Sequence, residues 1–296
     1  MLHLQYAQLI QLVVLSFLAA AVISDLKKRE VPNWVNYGLI ITGLSLNLLH
    51  SAVTLNWTFL IFSILGAVAM LATAALMFYT GQWGGGDSKL LIGLGAAIGL
   101  QVSARQPFVG LDSQLISFLF NLVAVSLVYA VVLGTVLAFK NKKRFNAAFK
   151  KQLESYSVLR KIALAACAAG LIVAVATPDV LVKFAVLGGV AALFSGLYLS
   201  IMAKAVERAC MLKNISPLKL TEGDWIAKDV IVDGKRICGP KDLGVDKSQI
   251  RQLIALFKKK KLRAIPIKEG LPFAPSFMIA YLITIFLGNV FFIIAR

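Results

Sequence analysis

The 296-residue chain is 59% hydrophobic and 15% charged, with a mean hydropathy of +0.80 and a formal net charge of +17. An ordinary globular protein is about 45–50% apolar and about 25% charged, so this composition excludes a water-soluble globule, a disordered chain and a collagen-like one, and points to an integral membrane protein. Its 31 Lys and Arg against 14 Asp and Glu would suggest nucleic acid in a soluble protein; here the cations sit between long apolar runs and report membrane topology, with no nucleic-acid partner expected.

A helix crosses a bilayer in about 20 apolar residues. Eight runs qualify: 6–24, 34–50, 57–79, 88–104, 112–139, 162–176, 180–203 and 274–294. The first is expected to be a span, not a cleaved signal peptide. Met1 to Ile10 carries no Lys or Arg, and the cluster Lys27, Lys28, Arg29 follows the apolar stretch instead of preceding it. That order places the N-terminus outside and residues 25–33 in the cytoplasm. The run 162–176 is short, and Thr177-Pro178-Asp179 joins it to 180–203 as a hairpin.

Alternation gives four cytoplasmic segments, 25–33, 80–89, 140–161 and 204–273, with 3, 1, 8 and 16 basic residues. Only Arg105, Lys183 and Arg296 fall elsewhere. Long domains do not obey the charge rule, yet the short segments alone carry 12 basic residues against 3. The topology expected is N-out and C-out with eight spans.

Segment 204–273 is the one stretch able to fold in water. Thr221-Glu222-Gly223-Asp224, Val232-Asp233-Gly234-Lys235 and Gly239-Pro240 are turn signals between short apolar runs, which predicts small strands. Residues 246–262 predict an amphipathic helix with Ile250, Leu253, Ile254 and Phe257 on one face. It ends in Lys258 to Lys261, a solvated helix end or a contact for anionic lipid headgroups. Cys167, Cys210 and Cys238 are scattered, with neither a disulfide framework nor a zinc spacing, and are expected to be structural.

Ionisable residues in or beside lipid are costly and mark function. Asp112 and Asp179 fall in predicted outside loops, and ten other acids lie in water-facing segments. Two remain at the edges of apolar spans. Asp25 ends the first span, before Leu26-Lys27-Lys28-Arg29-Glu30-Val31-Pro32-Asn33. Asp87 begins the fourth, in Gly84-Gly85-Gly86-Asp87-Ser88-Lys89-Leu90. Both belong to the same membrane face. Two close carboxyls cannot both ionise cheaply, so they share a proton. One then activates water as a base while the other protonates a carbonyl oxygen or leaving amine.

Gly84, Gly85 and Gly86 have no side chains to keep an extended peptide from the acids. Taken alone, Asp25 could cap a helix or pair with Lys27 or Lys28, and the glycines could be a plain loop or a packing site. Lys89 suits either an interfacial anchor or a cation that biases a carboxylate. The pattern Gly-x-x-x-x-Gly-Lys-Ser/Thr is absent, which excludes a phosphate loop. His3 and His50 are both expected outside, away from this face.

These residues resemble the type IV prepilin peptidases, in particular the archaeal preflagellin/prepilin peptidase branch. The likeness rests on Asp25 with Lys27, Lys28, Arg29 and Val31-Pro32-Asn33, and on Gly84 to Leu90, similar to the family's G-x-G-D signature followed by x-K-L/I. The two motifs cover residues 1–140. Glu222-Gly223-Asp224 and Lys268 to Pro275 resemble the cytoplasmic extension and last span of longer archaeal members.

The resemblance implies that Asp25 and Asp87 are a catalytic pair, with Gly84, Gly85, Gly86 and Lys89 forming the loop at the substrate. It implies that prepilins or preflagellins with a short basic leader are cut at the cytoplasmic membrane face. No cofactor and no metal are expected. The four-cysteine zinc region of bacterial members is absent, and nothing supports their methylation step. The likeness to presenilin-like proteases is looser, since Ser24 precedes Asp25 and no Pro-Ala-Leu occurs.

The expected fold is therefore all-α and polytopic, with a small α+β cytoplasmic domain. Its parts are a peptidase core over 1–140, a basic loop plus transmembrane hairpin over 141–203, a cytoplasmic domain over 204–273 and a final span over 274–296. Expected partners are the pilin-like substrates and anionic lipid headgroups. A proton- or cation-coupled transporter using the same acids is the competing reading; it requires acids near mid-bilayer and paired repeats. A pilus-assembly scaffold with a degenerate pair is the third.

Overall fold

The computed structural model describes residues 2–102 and 113–290. The expectations for Arg105, Asp112 and Arg296, and the end of the last span, lie outside the described residues. The chain is a polytopic helical membrane protein. In order it forms α1 (Leu2–Lys28), α2 (Asn33–Thr54), α3 (Thr58–Tyr79), α4 (Gly85–Ile98), α5 (Gln114–Lys140), α6 (Lys142–Ser155), α7 (Ser157–Ala176) and α8 (Val180–Val206). A π-turn at Glu207–Met211 leads into β1 (Leu212–Ile215), β2 (Trp225–Ile226), β3 (Val230–Val232), β4 (Lys235–Cys238), α9 (Lys247–Lys258), β5 (Ile265–Lys268) and α10 (Ala274–Leu287).

All eight apolar runs fall on helices. Among the described residues six of these, α1, α2, α3, α5, α7 and α8, are long and apolar enough to cross a membrane. The other two, α4 and α10, have 14 residues each. Both stop at a glycine with positive φ, Gly99 (75°) and Gly288 (76°).

The chain divides into two compact units, 1–129 with 270–296, and 130–269. In the first, α4 is central: eight of its residues, from Ser88 to Ala97, are buried. It meets α2 and α3 with almost no side chain between. A Cβ on Gly66 would stand 2.3 Å from the Gly95 carbonyl oxygen, and one on Gly43 would stand 2.8 Å from the Ala97 nitrogen. Small residues let helices approach this closely where lipid gives no hydrophobic drive for association.

Polar side chains reinforce the contact. Asn47 Nδ2 donates to the carbonyls of Gly43 (2.9 Å), Ala96 (3.3 Å) and Ala97 (3.4 Å), and Ser63 Oγ donates to that of Ala96. At the end of α10, Asn121 Nδ2 donates to Gly288 O (2.7 Å) and its Oδ1 accepts from Val290 N (3.1 Å). This satisfies backbone groups that have no water to turn to. Phe118, Phe277 and Tyr281 fill the space between, all fully buried.

In the second unit, α7 and α8 form the predicted hairpin. Asp179 caps α8, its Oδ1 accepting from Leu181 N (2.8 Å) and Val182 N (3.1 Å). The stretch 140–161, expected as a basic loop, instead contains α6. Its charge hides a helical pattern: Phe145 and Phe149 stack one turn apart, and Gln152, one turn on, is buried. The predicted strands are present. They form a three-stranded antiparallel sheet in the order β1-β5-β2 and a separate β3-β4 hairpin turning at Asp233-Gly234.

The predicted helix 246–262 is α9, shorter by a turn. A capping box starts it, with Asp246 accepting from Gln249 N (2.8 Å) and Gln249 Oε1 accepting from Asp246 N (3.0 Å). Leu253 is its buried residue, packed with Ile226, Val230, Cys238, Val245, Ile265 and Ile267. Burial, with the Asp242 charge next, pushes the Cys238 thiol up to about 11. It is a protonated core residue at neutral pH, with none of the thiolate character a reactive cysteine needs.

Candidate functional site

Asp25 sits one turn before the end of α1, buried, with its own carbonyl accepting from Arg29 N at 2.8 Å. Lys27 and Lys28 in the last turn suit the negative helix end, and Pro32 stops any continuation. Neither lysine pairs with Asp25. Its Oδ2 accepts instead from the backbone N–H of Ala274, at 2.8 Å and 249 residues away, and the Phe273 backbone hydrogen-bonds it too. Ala274 is the first residue of α10, whose capping position Phe273 offers no side-chain acceptor. Asp25 thus caps a helix from the other end of the sequence.

Asp87 lies in the first turn of α4. Helix α4 starts at Gly85, two residues before the acid, with Gly84 as its extended capping residue. Gly85 and Gly86 are therefore helical and not part of a loop. The Gly84 backbone hydrogen-bonds the Asp87 carboxyl. Both acids consequently stand at the positive end of a helix, Asp25 at α10 and Asp87 at α4, where a carboxylate is stabilised.

Several contacts draw the two helix ends together. The Trp83 ring lies 5.7 Å from Phe273 and 5.6 Å from Phe277. A Cβ on Gly86 would touch Val31, in the turn after α1, at 3.4 Å. The Asp25 and Asp87 carboxyls are close enough to act on each other electrostatically. Gly84 and Gly85 are partly exposed, and a Cβ on them would meet Asp87 Oδ2 at 3.7 Å and the Phe78 ring at 3.8 Å, ordinary van der Waals contacts.

Of the sequence-predicted residues, the structure brings together Asp25, Asp87, Gly84, Gly85 and Gly86. Lys89 turns away toward α2: its Nζ donates to Asn33 Oδ1 at 2.9 Å and stands 5.4 Å from the Tyr37 ring centre. It forms no ion pair with either aspartate. Sequence reasoning missed the backbone of Phe273 and Ala274 as the partner of Asp25. Pro275 just inside α10 is the signal for the helix start there, but nothing in the sequence says which acid caps it. It also missed Asn36 and Ser88, buried polar side chains on α2 and α4 that have no protein hydrogen-bond partner. No group of three or more His, Cys, Asp or Glu able to hold a metal occurs among the described residues.

Two carboxyls close enough to act on each other electrostatically, each held by helix backbone, are the elements of the acid pair expected from the sequence. Such a pair can deliver a base and an acid to one bond.

Residues 12–139 match the model of the Type IV leader peptidase family. The chain is 33% identical over 150 residues to the preflagellin peptidase of Methanococcus voltae, covering 48% of this chain and 61% of that protein. It is 40% identical over 81 residues to the preflagellin peptidase of Methanocaldococcus jannaschii, covering 27% and 34%. It is 36% identical over 81 residues to that of Methanococcus maripaludis, covering 27% and 35%. The chain thus matches less than two thirds of the length of each of these relatives. No solved structure matches it.

Proposed function

We propose, from the match of residues 12–139 to the Type IV leader peptidase family, that the protein is a membrane-embedded aspartic endopeptidase. It removes the short basic leader of prepilin- or preflagellin-like proteins. The observation that carries this is the meeting of Asp25 and Asp87 at the starts of α10 and α4. Asp87 belongs to the matched segment, and so does Asp25.

In the proposed reaction one carboxylate takes a proton from water, which attacks the scissile carbonyl carbon. The partner carboxylic acid donates its proton to the carbonyl oxygen and the pair then returns a proton to the leaving amine. The pair titrates as a unit, so either aspartate serves as the base. The scissile segment reaches the acids extended, along the partly exposed, side-chain-free edge of Gly84 and Gly85. The apolar helix that follows the cut stays in the bilayer.

The positive charge on segments 25–33, 80–89 and 140–161 supports an orientation with the site at the cytoplasmic face and both termini outside. In this reading α4 and α10 count as short spans, giving eight. Glu30, exposed in the turn after Asp25, is placed to meet the leader's basic residues.

The test is a gel-shift cleavage assay with membranes containing the wild type, Asp25→Asn or Asp87→Asn, mixed with an archaeal preflagellin and a prepilin. The wild type is expected to shorten a substrate and both variants to leave it intact while still present in the membrane. Normal processing by either variant would sink the acid pair.

A further inference from the structure

Between the end of α5 at Lys140 and the start of α7 at Ser157 the chain is tied at both ends to membrane helices, so α6 lies at one bilayer surface. Its apolar side, Phe145 and Phe149 with Gln152, is turned inward, while Lys142, Lys143, Lys150 and Lys151 are exposed. At the α5–α6 corner, Phe139, Lys140, Asn141, Lys142, Lys143 and Arg144 line an open hollow of about 340 Å³.

The cations of this corner have no acid to meet. From Lys140 to Lys161 there are eight basic residues and one acid, Glu154, and none of them forms an ion pair among the described residues. In the sheet-bearing part of the same unit the pattern is opposite. Lys213, Arg236, Lys247, Lys261 and Lys268 each pair with a carboxylate of that part. The α6 N-terminus adds to the imbalance: its first turn has no acid and no side-chain cap, leaving a positive helix end beside the four cations. Phe139 is 73% exposed at the rim, as an aromatic ring at the membrane–water boundary is.

We propose that this corner binds the phosphate headgroup of an anionic phospholipid. Lys140, Lys142, Lys143 and Arg144 surround the phosphate, and Phe139 lies against the upper acyl chain. The inference is independent of the peptidase reading. It commits to a lipid over a soluble phosphate because the hollow sits where α5 leaves the bilayer and carries an exposed aromatic ring at its edge.

The test is native mass spectrometry of the full-length protein in detergent. It is titrated with dioleoyl phosphatidylglycerol, with dioleoyl phosphatidylcholine and, as a competitor, with inorganic phosphate. The wild type is expected to retain phosphatidylglycerol selectively, and millimolar phosphate is expected not to displace it. The triple variant Lys142→Gln, Lys143→Gln, Arg144→Gln keeps good helix formers and is expected to bind phosphatidylglycerol about 100-fold more weakly, at roughly fivefold per basic residue near a headgroup. The variant Lys228→Gln, Lys235→Gln, Lys241→Gln removes the same charge from exposed positions of the sheet-bearing part and is expected to bind like the wild type.

Equal loss in both triple variants would mean that net charge and not the corner holds the lipid. Unchanged binding in the corner variant, equal retention of phosphatidylcholine, or displacement by inorganic phosphate would each overturn the proposal. If the corner variant does not elute as a folded species, Lys143→Gln alone serves, with an expected severalfold loss.

Discussion

The α2–α3–α4 cluster and the α7–α8 hairpin are both made of apolar helices, yet apart from Gly170, where a Cβ would stand 2.5 Å from Val190, the hairpin's glycines are not packed as the cluster's are. In the cluster, a Cβ on Gly66 or Gly95 would run into the other's carbonyl oxygen at 2.3 or 2.4 Å. In the hairpin, nothing lies within 4 Å of where a Cβ would sit on Gly188, Gly189 or Gly196. The cluster buries Asn36, Asn47, Ser51 and Ser63, whereas α8 leaves Leu181 81% exposed. Hydrophobicity says that both are in lipid. Small residues and polar side chains say which helices touch protein and which touch acyl chains. Asp87 belongs to the packed region, in the first turn of α4, where neighbouring backbones are held closely.

The largest effect that would break this contrast is at the pair. Asp25→Asn and Asp87→Asn are each expected to lower cleavage on the order of 10³-fold or more. Thermal unfolding in detergent should change little, because Asn remains a capping acceptor for α10. Asp25→Ala should cost stability as well, since the Ala274 N–H is left without a partner in a buried site. Equal unfolding costs for Asn and Ala would show that Asp25 works through its charge and not as a cap.

Next in size, Leu253→Ala in the sheet-bearing part should cost about 2–5 kcal/mol, the range for a deleted core leucine. It should be read as faster hydrogen exchange across α9 and β5, with the α2–α4 amides unaffected. Gly95→Ala is expected to cost about 1–3 kcal/mol by forcing two backbones apart, while Gly189→Ala should be neutral or stabilising by up to about 1 kcal/mol through helix propensity. Similar melting shifts for the two glycine variants would erase the distinction between the regions.

The smallest effect is a pH dependence. Backbone and Ser248 hydrogen bonds hold the Asp246 carboxyl below its ordinary value of 3.8. A depressed folded pKa means that its contribution is present above 3.8 and is lost as pH falls through the lower, folded value. Protection of the α9 amides should therefore drop as pH falls below 3.8 in the wild type, and less so in Asp246→Asn.

Much of this was legible in the sequence. Apolar length located the apolar helices, six of which are long enough to cross a membrane among the described residues, and turn residues located the strands and α9. Charge at span edges singled out Asp25 and Asp87. What was not legible depended on partners distant in sequence. The lengths of α4 and α10 depend on glycine breaks inside apolar runs, which hydropathy does not register. Helix α6 was missed because eight basic residues across 140–161 mask a two-phenylalanine face. Lys89 was weighed as a bias on the acids, and only the position of Asn33 shows that its ammonium is engaged elsewhere. The contact of Asp25 with Ala274 pairs one side chain with one amide across nearly the whole chain, and no periodicity announces it.

That contact also sets an order of events during synthesis. The Asp25 carboxylate reaches the membrane early, but its partner amide is 249 residues further on. At about 5–20 residues per second a ribosome needs roughly 10–50 s to make that stretch. Through that interval α1 waits in the bilayer with its acid uncapped, while α5, α7 and α8 are inserted after it. The polar centre closes only when the last helix arrives, so a chain truncated before residue 274 would carry both aspartates and still lack the finished site.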